Sequence, residues 1–157
     1  EWQQKRIYKL IVEKLFGNVS GKKIAFLGFS FKANTNDTRE SPAIYIGNYL
    51  LKEGAQLSIH DPKVNYEQIK LSFDNPNNLN RDKNSGCWEK VSELSNVFEG
   101  ADAAIFLTEW DEYRNLNWEK ISQTMRKPSW IFDTRGILEK EKIINLGLNF
   151  WSIGLGS

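Results

Sequence analysis

The chain has 157 residues, the size of one domain when a domain takes roughly 100 to 200 residues, so a second full domain is not expected. Hydrophobic residues make up 40% and aromatic residues 13% of it, enough apolar material for a buried core and too much for a disordered or fibrous chain. Its 21 basic and 20 acidic side chains leave a net charge of +1: no global field draws nucleic acid or an anionic membrane, and any anion must be caught by a local cluster.

Residues 1–16 place Ile7, Leu10, Ile11 and Leu15 on one face of a helix, with Lys5, Arg6, Lys9 and Lys14 opposite or flanking. Gly17 and Gly21 bracket a turn, and Ile24 to Leu27 form a continuous apolar run of strand length, as expected for a strand buried on both faces. A polar stretch from Phe29 to Glu40 follows Gly28, then Ser41-Pro42, a helix cap with proline at the first helical position. Ala43, Ile46, Gly47 and Leu50 supply the apolar face of that helix, which Gly54 closes. Leu57 and Ile59 alternate with Ser58 and His60 in a second strand stopped by Asp61-Pro62.

Residues 74–86 are rich in Asn and carry Pro76 and Gly86, the composition of a surface loop. Leu94, Val97 and Phe98 predict a short helix, Ala103 to Leu107 a third strand, Trp118, Ile121 and Met125 a helical face, and Ser129 to Asp133 a fourth strand. Ile137 to Leu146 reads as a helix and Phe150 to Ile153 as a fifth strand. Alternating strands and helices imply a three-layer α/β domain with a mainly parallel sheet of about five strands, because parallel neighbours need crossover connections.

Cys87 is the single cysteine and His60 the single histidine, so an intrachain disulfide is excluded and a zinc site lacks ligands. No apolar run approaches the roughly 18 residues of a membrane span, and Glu1 opens no signal segment; a soluble, reducing compartment, the cytoplasm, is expected. The chain begins without Met and in mid-pattern, and reads as a piece of a longer protein.

In open parallel sheets, ligands bind beyond the carboxyl ends of the strands, near the point where strand order switches. A dinucleotide domain carries G-x-G-x-x-G after its first strand; here Gly28 is followed by no glycine until Gly47. Its place is taken by GFSFKANTNDTRES, with Lys32 and Arg39 shortly before a helix N-terminus, a plausible phosphate receptor. Arg39 can equally pair with Asp37 or Glu40. After the fourth strand, Arg135 stands where a guanidinium can grip a phosphate or a planar base, or pair with Asp133. Lys32, Arg39 and Arg135 converge only if their two strands are neighbours across the switch point. Asp61 is either an acid for a ribose or a turn former, and His60 reads as a strand-end residue without a catalytic role. Thr108-Glu109-Trp110 is placed as a functional segment would be, and Cys87 is read as incidental.

The block GKKIAFLGFSFKANTNDTRESPAI, followed by HDPK (His60 to Lys63), LTEWDEY (Leu107 to Tyr113) and FDTRG (Phe132 to Gly136), closely resembles the C-terminal, UDP-binding domain of the UDP-glucose 6-dehydrogenases, within the wider UDP-glucose/GDP-mannose dehydrogenase family. The resemblance covers nearly the whole chain. It implies a Rossmann-like domain of a nucleotide-sugar enzyme that oxidises the sugar's primary alcohol twice with two NAD molecules, giving UDP-glucuronate through a cysteine-linked thioester. It further implies that Phe31, Lys32 and Arg135 contact UDP-glucose and that Arg39 meets an NAD bound mainly by another domain. Cys87 matches no family nucleophile, so no catalytic residue is expected in this chain, and alone it is expected to be inactive. Residues 1–17 would be the end of a central linking and dimerising helix and residues 18–157 the UDP-sugar domain, the full-length protein being a homodimer or larger homo-oligomer. Two other readings stay open: a dehydrogenase of GDP-mannose or a UDP-linked amino sugar, and a non-catalytic nucleotide-binding or interaction module.

Overall fold

A computed structural model describes residues 2–74 and 86–154. Residues 75–85, most of the Asn-rich stretch, lie outside the described residues. In chain order the elements are α1 (Trp2–Lys14), β1 (Lys23–Leu27), α2 (Pro42–Lys52), β2 (Gln56–His60), α3 (Tyr66–Phe73), β3 (Cys87–Lys90), β4 (Ala103–Phe106), α4 (Trp118–Thr124), β5 (Trp130–Asp133), α5 (Lys140–Asn145) and β6 (Asn149–Ser152). Two 3-10 turns, Leu94–Phe98 and Asp111–Asn115, flank β4.

The strands form one six-stranded sheet in the order β3-β2-β1-β4-β5-β6, every neighbouring pair parallel. The α/β expectation holds, with one strand more than the sequence suggested. The added strand is β3, where Cys87 stands, so this cysteine opens an edge strand and is exposed and free there. Its burial pattern alternates between exposed and half-buried, and a short run of that kind gives little apolar signal. Helix α3 was equally unmarked; the Asn65 side chain and Gln68 cap it reciprocally, a capping box that stabilises an isolated short helix start.

The period of two along each strand decides which residues face which layer. Ile24 and Phe26 of β1, Leu57 and Ile59 of β2, and Ala103 and Ile105 of β4 face a core built with α1, α2 and α3. Ala25 and Leu27, Ala104 and Phe106, and Ile131 face the other core, with Phe98, Tyr113, Trp118, Ile121 and Ile143. Ile7, Ile11 and Leu15 from α1 and the turn after it join the first core, as the spacing of the leading helix predicts. Phe26 and Phe106 are fully buried, each such side chain stabilising the fold by about 1.5 to 3 kcal/mol.

Strands run outward from β1 through β2 to β3, and the chain then returns to the other side of β1 to place β4. The switch point therefore lies between β1 and β4. At the end of β1, Gly28 has φ of +102°, and a Cβ there would come within 2.4 Å of the Thr108 side chain. Only glycine lets the chain leave β1 at this angle while the segment after β4 passes so close.

Candidate functional site

The carboxyl ends of β1, β2 and β4 are tied together by one buried acid. Asp61, 4% exposed, accepts the Phe29 N–H at 2.7 Å and the Ser30 N–H at 2.9 Å on Oδ2, and the Trp110 indole N–H at 3.2 Å on the same oxygen. Its Oδ1 accepts the N–H groups of Lys63 at 2.8 Å and Val64 at 3.0 Å. Both oxygens are thus spent inside the protein, and the ribose role considered for Asp61 does not fit. The turn-forming reading does, extended by a grip on two further loops. Beside it, the Tyr113 hydroxyl donates to the His60 carbonyl at 3.2 Å and lies 2.9 Å from His60 Nδ1. Burial holds the His60 imidazole below its ordinary pKa, aided by Lys90 and opposed by Asp61. Burial, with Asp61 and Glu112 nearby, pushes the Tyr113 hydroxyl far up.

The loop after β1 folds on itself. Phe31 N–H donates to the Asp37 carbonyl at 2.7 Å, the Ser30 hydroxyl donates to the Lys32 carbonyl at 2.9 Å, and Thr108 pins Ser30 by a hydroxyl bond of 2.9 Å to its carbonyl. Ser41 ends the loop, capping α2 through its side chain while donating to the Phe29 carbonyl at 2.8 Å. Phe31 is left 47% exposed, an apolar ring available for contact, and the Lys32 side chain beside it is exposed.

Arg39 pairs with Asp37. Its backbone N–H and Nε reach Oδ1 at 3.0 Å each, and Nη2 reaches Oδ2 at 2.8 Å. The hydrogen bonds and charge of Arg39 bring the Asp37 carboxyl down to about 2, and Asp37 in turn raises the Arg39 pKa. With its side chain 88% exposed, Arg39 stands outward on the loop, as the pairing alternative anticipated.

Arg135 does not pair with Asp133. That buried carboxylate accepts three backbone N–H groups, those of Arg135 at 3.1 Å, Gly136 at 2.8 Å and Leu138 at 2.8 Å, and so shapes the loop after β5. The Arg135 guanidinium turns instead to Glu109, with a hydrogen bond of 2.6 Å from Nε to Oε2 and an ion-pair contact from Nη2 to the same oxygen. The other oxygen, Oε1, accepts the Ala33 N–H at 2.8 Å. Partial burial raises the Glu109 carboxyl, and the Ala33 and Arg135 hydrogen bonds with the arginine charge more than reverse this, leaving it below its ordinary pKa.

These contacts correct the condition set for convergence. β1 and β5 are not neighbours; β4 lies between them. Glu109, after β4, nevertheless joins the Ala33 backbone next to Lys32 to Arg135, while Arg39 is held by Asp37. The placement of Glu109 after a strand was visible in the sequence, but its partners were not. A cavity of about 680 Å³ lies elsewhere, between α1 and the end of β6, lined by residues including Trp2, Arg6, Trp151 and Ile153; it contains none of Phe31, Lys32, Arg39 or Arg135.

An open, all-parallel six-stranded sheet whose order reverses between β1 and β4 defines a doubly wound α/β domain. Residues 25–140 match the model of the UDP-glucose/GDP-mannose dehydrogenase family, UDP binding domain. UDP-glucose 6-dehydrogenase 4 of Oryza sativa subsp. japonica is 40% identical over 98% of this chain and 34% of its own length; the UDP-glucose 6-dehydrogenase of Drosophila melanogaster is 41% identical over 98% of this chain and 33% of its own. Among solved structures, UDP-D-ManNAc dehydrogenase from Pyrococcus horikoshii superposes with a TM-score of 0.71 at 27% identity, covering 99% of this chain and 31% of that one. NDP-N-acetyl-D-galactosaminuronic acid dehydrogenase from Methanosarcina mazei Go1 gives a TM-score of 0.73 at 25% identity, covering 97% and 28%. The chain belongs to the UDP-glucose/GDP-mannose dehydrogenase family, and it spans about a third of the length of the curated relatives it matches.

Proposed function

We propose that this chain is the C-terminal, substrate-holding domain of an NAD-dependent UDP-glucose 6-dehydrogenase, and that Lys32 and Arg135 bind the diphosphate of UDP-glucose with Phe31 packing against the nucleotide. The single observation that carries the reading is the Glu109 bridge, which gathers the Lys32–Ala33 backbone and the Arg135 guanidinium at the switch point. Two cations on separate loops give charge-assisted contacts to a diphosphate, and binding energy from that remote group positions the sugar alcohol for reaction. Identity near 40% to UDP-glucose 6-dehydrogenases favours glucose as the sugar. The solved neighbours at 25% and 27% identity, named for N-acetyl sugars, keep a UDP-linked amino sugar as the second reading.

NAD does not fit this domain as its main site. The glycine-rich turn is missing after β1, and Asp61 has no free oxygen for a ribose. In this proposal the cofactor and the nucleophile lie outside residues 1–157, Arg39 reaches the cofactor from the loop edge, and the 157-residue chain alone turns over nothing. Residues 1–17 are the end of a linking helix, and the full-length protein is a homo-oligomer in the cytoplasm. The test is calorimetric titration of UDP-glucose, GDP-mannose and UDP-N-acetylmannosamine into the full-length protein with NADH production followed in parallel. Preferred binding and oxidation of UDP-glucose is expected. Binding of none of the three, or turnover by the 157-residue chain, refutes the reading.

A further inference from the structure

We propose that Glu109 is the positioning residue of this site, holding the Arg135 guanidinium along its Nε edge and the Lys32–Ala33 backbone on one carboxylate so that both cations meet the diphosphate in a preset geometry. The inference rests on the reading of Arg135 and Lys32 as diphosphate contacts.

Glu109 follows β4, the strand on the switch-point side of β1, and its two oxygens point to opposite neighbours in the sheet. Oε1 takes the Ala33 N–H of the loop after β1 at 2.8 Å. Oε2 takes the Nε–H of Arg135 after β5 at 2.6 Å, together with Nη2. A guanidinium has five N–H donors in a rigid plane. The Nε edge is turned to Glu109, so the Nη1 N–H groups and the far side of Nη2 remain along the outer edge, enough for bidentate contact with a phosphate. The pair is neither sealed nor loose: the side chains are 33% and 31% exposed, which orders the arginine while leaving it open to a ligand. Arg39 offers the contrast. Its acid lies two residues away on the same loop and its side chain is 88% exposed, so Asp37 joins no second strand end.

Fixing a rotamer-rich side chain before the ligand arrives removes an ordering cost from binding. A carboxylate facing a phosphate site would otherwise only repel the ligand, so its net effect separates a positioning role from an incidental one. Glu109→Gln keeps an acceptor for Ala33 and loses the charged grip on Arg135. In the full-length protein, Glu109→Gln is expected to weaken UDP binding about tenfold, while the same change made on top of Arg135→Ala alters affinity less than about twofold. A residue that merely staples the loops would weaken both backgrounds alike, and that result overturns the proposal, as does unchanged or tighter UDP binding in Glu109→Gln.

A second measurement does not depend on UDP. In the ligand-free chain the Arg135 Nε–H should give a resolved, slowly exchanging NMR signal that broadens in Glu109→Gln. A signal indifferent to the substitution overturns the positioning role. Glu109-dependent ordering in a protein that binds no UDP instead overturns the functional reading on which the proposed ligand rests.

Discussion

The Asp61 carboxylate accepts the Phe29 backbone N–H at 2.7 Å, joining the end of β2 to the first residue after Gly28 at the end of β1. Ser30 and Trp110 share the same oxygen, so one buried acid sets the relative position of three loops that surround the switch point. The loops that carry Lys32 and Glu109 therefore start from a common anchor.

Asp61→Ala would strip an acceptor from five donors, with Phe29 and Ser30 fully buried. Each buried donor left unpaired costs about 1–3 kcal/mol, and partial relaxation brings the expected loss to about 3–5 kcal/mol. Urea unfolding followed by circular dichroism measures it. A loss below about 1 kcal/mol would show that the three loops hold one another without this carboxylate.

Gly28→Ala combines a backbone at φ +102° with a Cβ only 2.4 Å from the Thr108 side chain. Left-handed strain and overpacking together are expected to destabilise by about 2–4 kcal/mol. Adding Thr108→Ala removes Oγ1 but leaves the residue's Cβ at the same 2.4 Å, so it should return little of that loss. A double variant restored to the parent's stability would place the cost on the Oγ1 contact rather than on the backbone and Cβ.

Arg135→Ala and Lys32→Ala in the full-length protein should each weaken UDP-glucose binding by about 1.5–3 kcal/mol, the scale of one charge-assisted hydrogen bond. Arg39→Ala should leave UDP-glucose binding unchanged and raise the KM for NAD. Steady-state kinetics with each substrate varied in turn separates these outcomes, and a substrate-side defect from Arg39→Ala would contradict its assignment.

The lowered His60 pKa makes stability depend on pH in a stated direction. The group is buried beside the Tyr113 hydroxyl, with Asp61 and Lys90 also acting on it. Above the ordinary value of 6.5 both folded and unfolded chains carry neutral imidazole, and the contribution is fully present. As pH falls below it, the unfolded chain takes up the proton first, so stability drops until the folded-state pKa is also passed. The difference in unfolding free energy between pH 7.5 and pH 5.5 should therefore shrink in His60→Gln. An equal difference in both proteins would remove His60 as its source.

Much of the architecture was legible because burial on both faces of a parallel sheet writes continuous apolar runs, as in Ile24 to Leu27 and Ala103 to Phe106. The strand β3 escaped because an edge strand needs no such run: Cys87 to Lys90 pairs by its backbone to β2 and leaves its side chains partly in solvent. At the site, Lys32, Arg39 and Arg135 were identifiable by charge and by position after strands. Their partners were legible only in part: Asp37 and Glu40 both stood within reach of Arg39 along the chain, whereas Arg135 had Asp133 as its chain neighbour and takes Glu109 instead.

By itself, then, the sequence determined the single α/β domain, its near-neutral charge and the cationic residues of the switch-point loops, because these follow from composition and local periodicity. Only the tertiary structure decided that β4 separates β1 from β5, that Arg39 turns to Asp37, and that Glu109 rather than Asp133 holds Arg135. The physical reason is that an ion pair depends on distance and direction in space, and strand order brings residue 109 to residues 33 and 135 across gaps of 76 and 26 positions that no local pattern encodes.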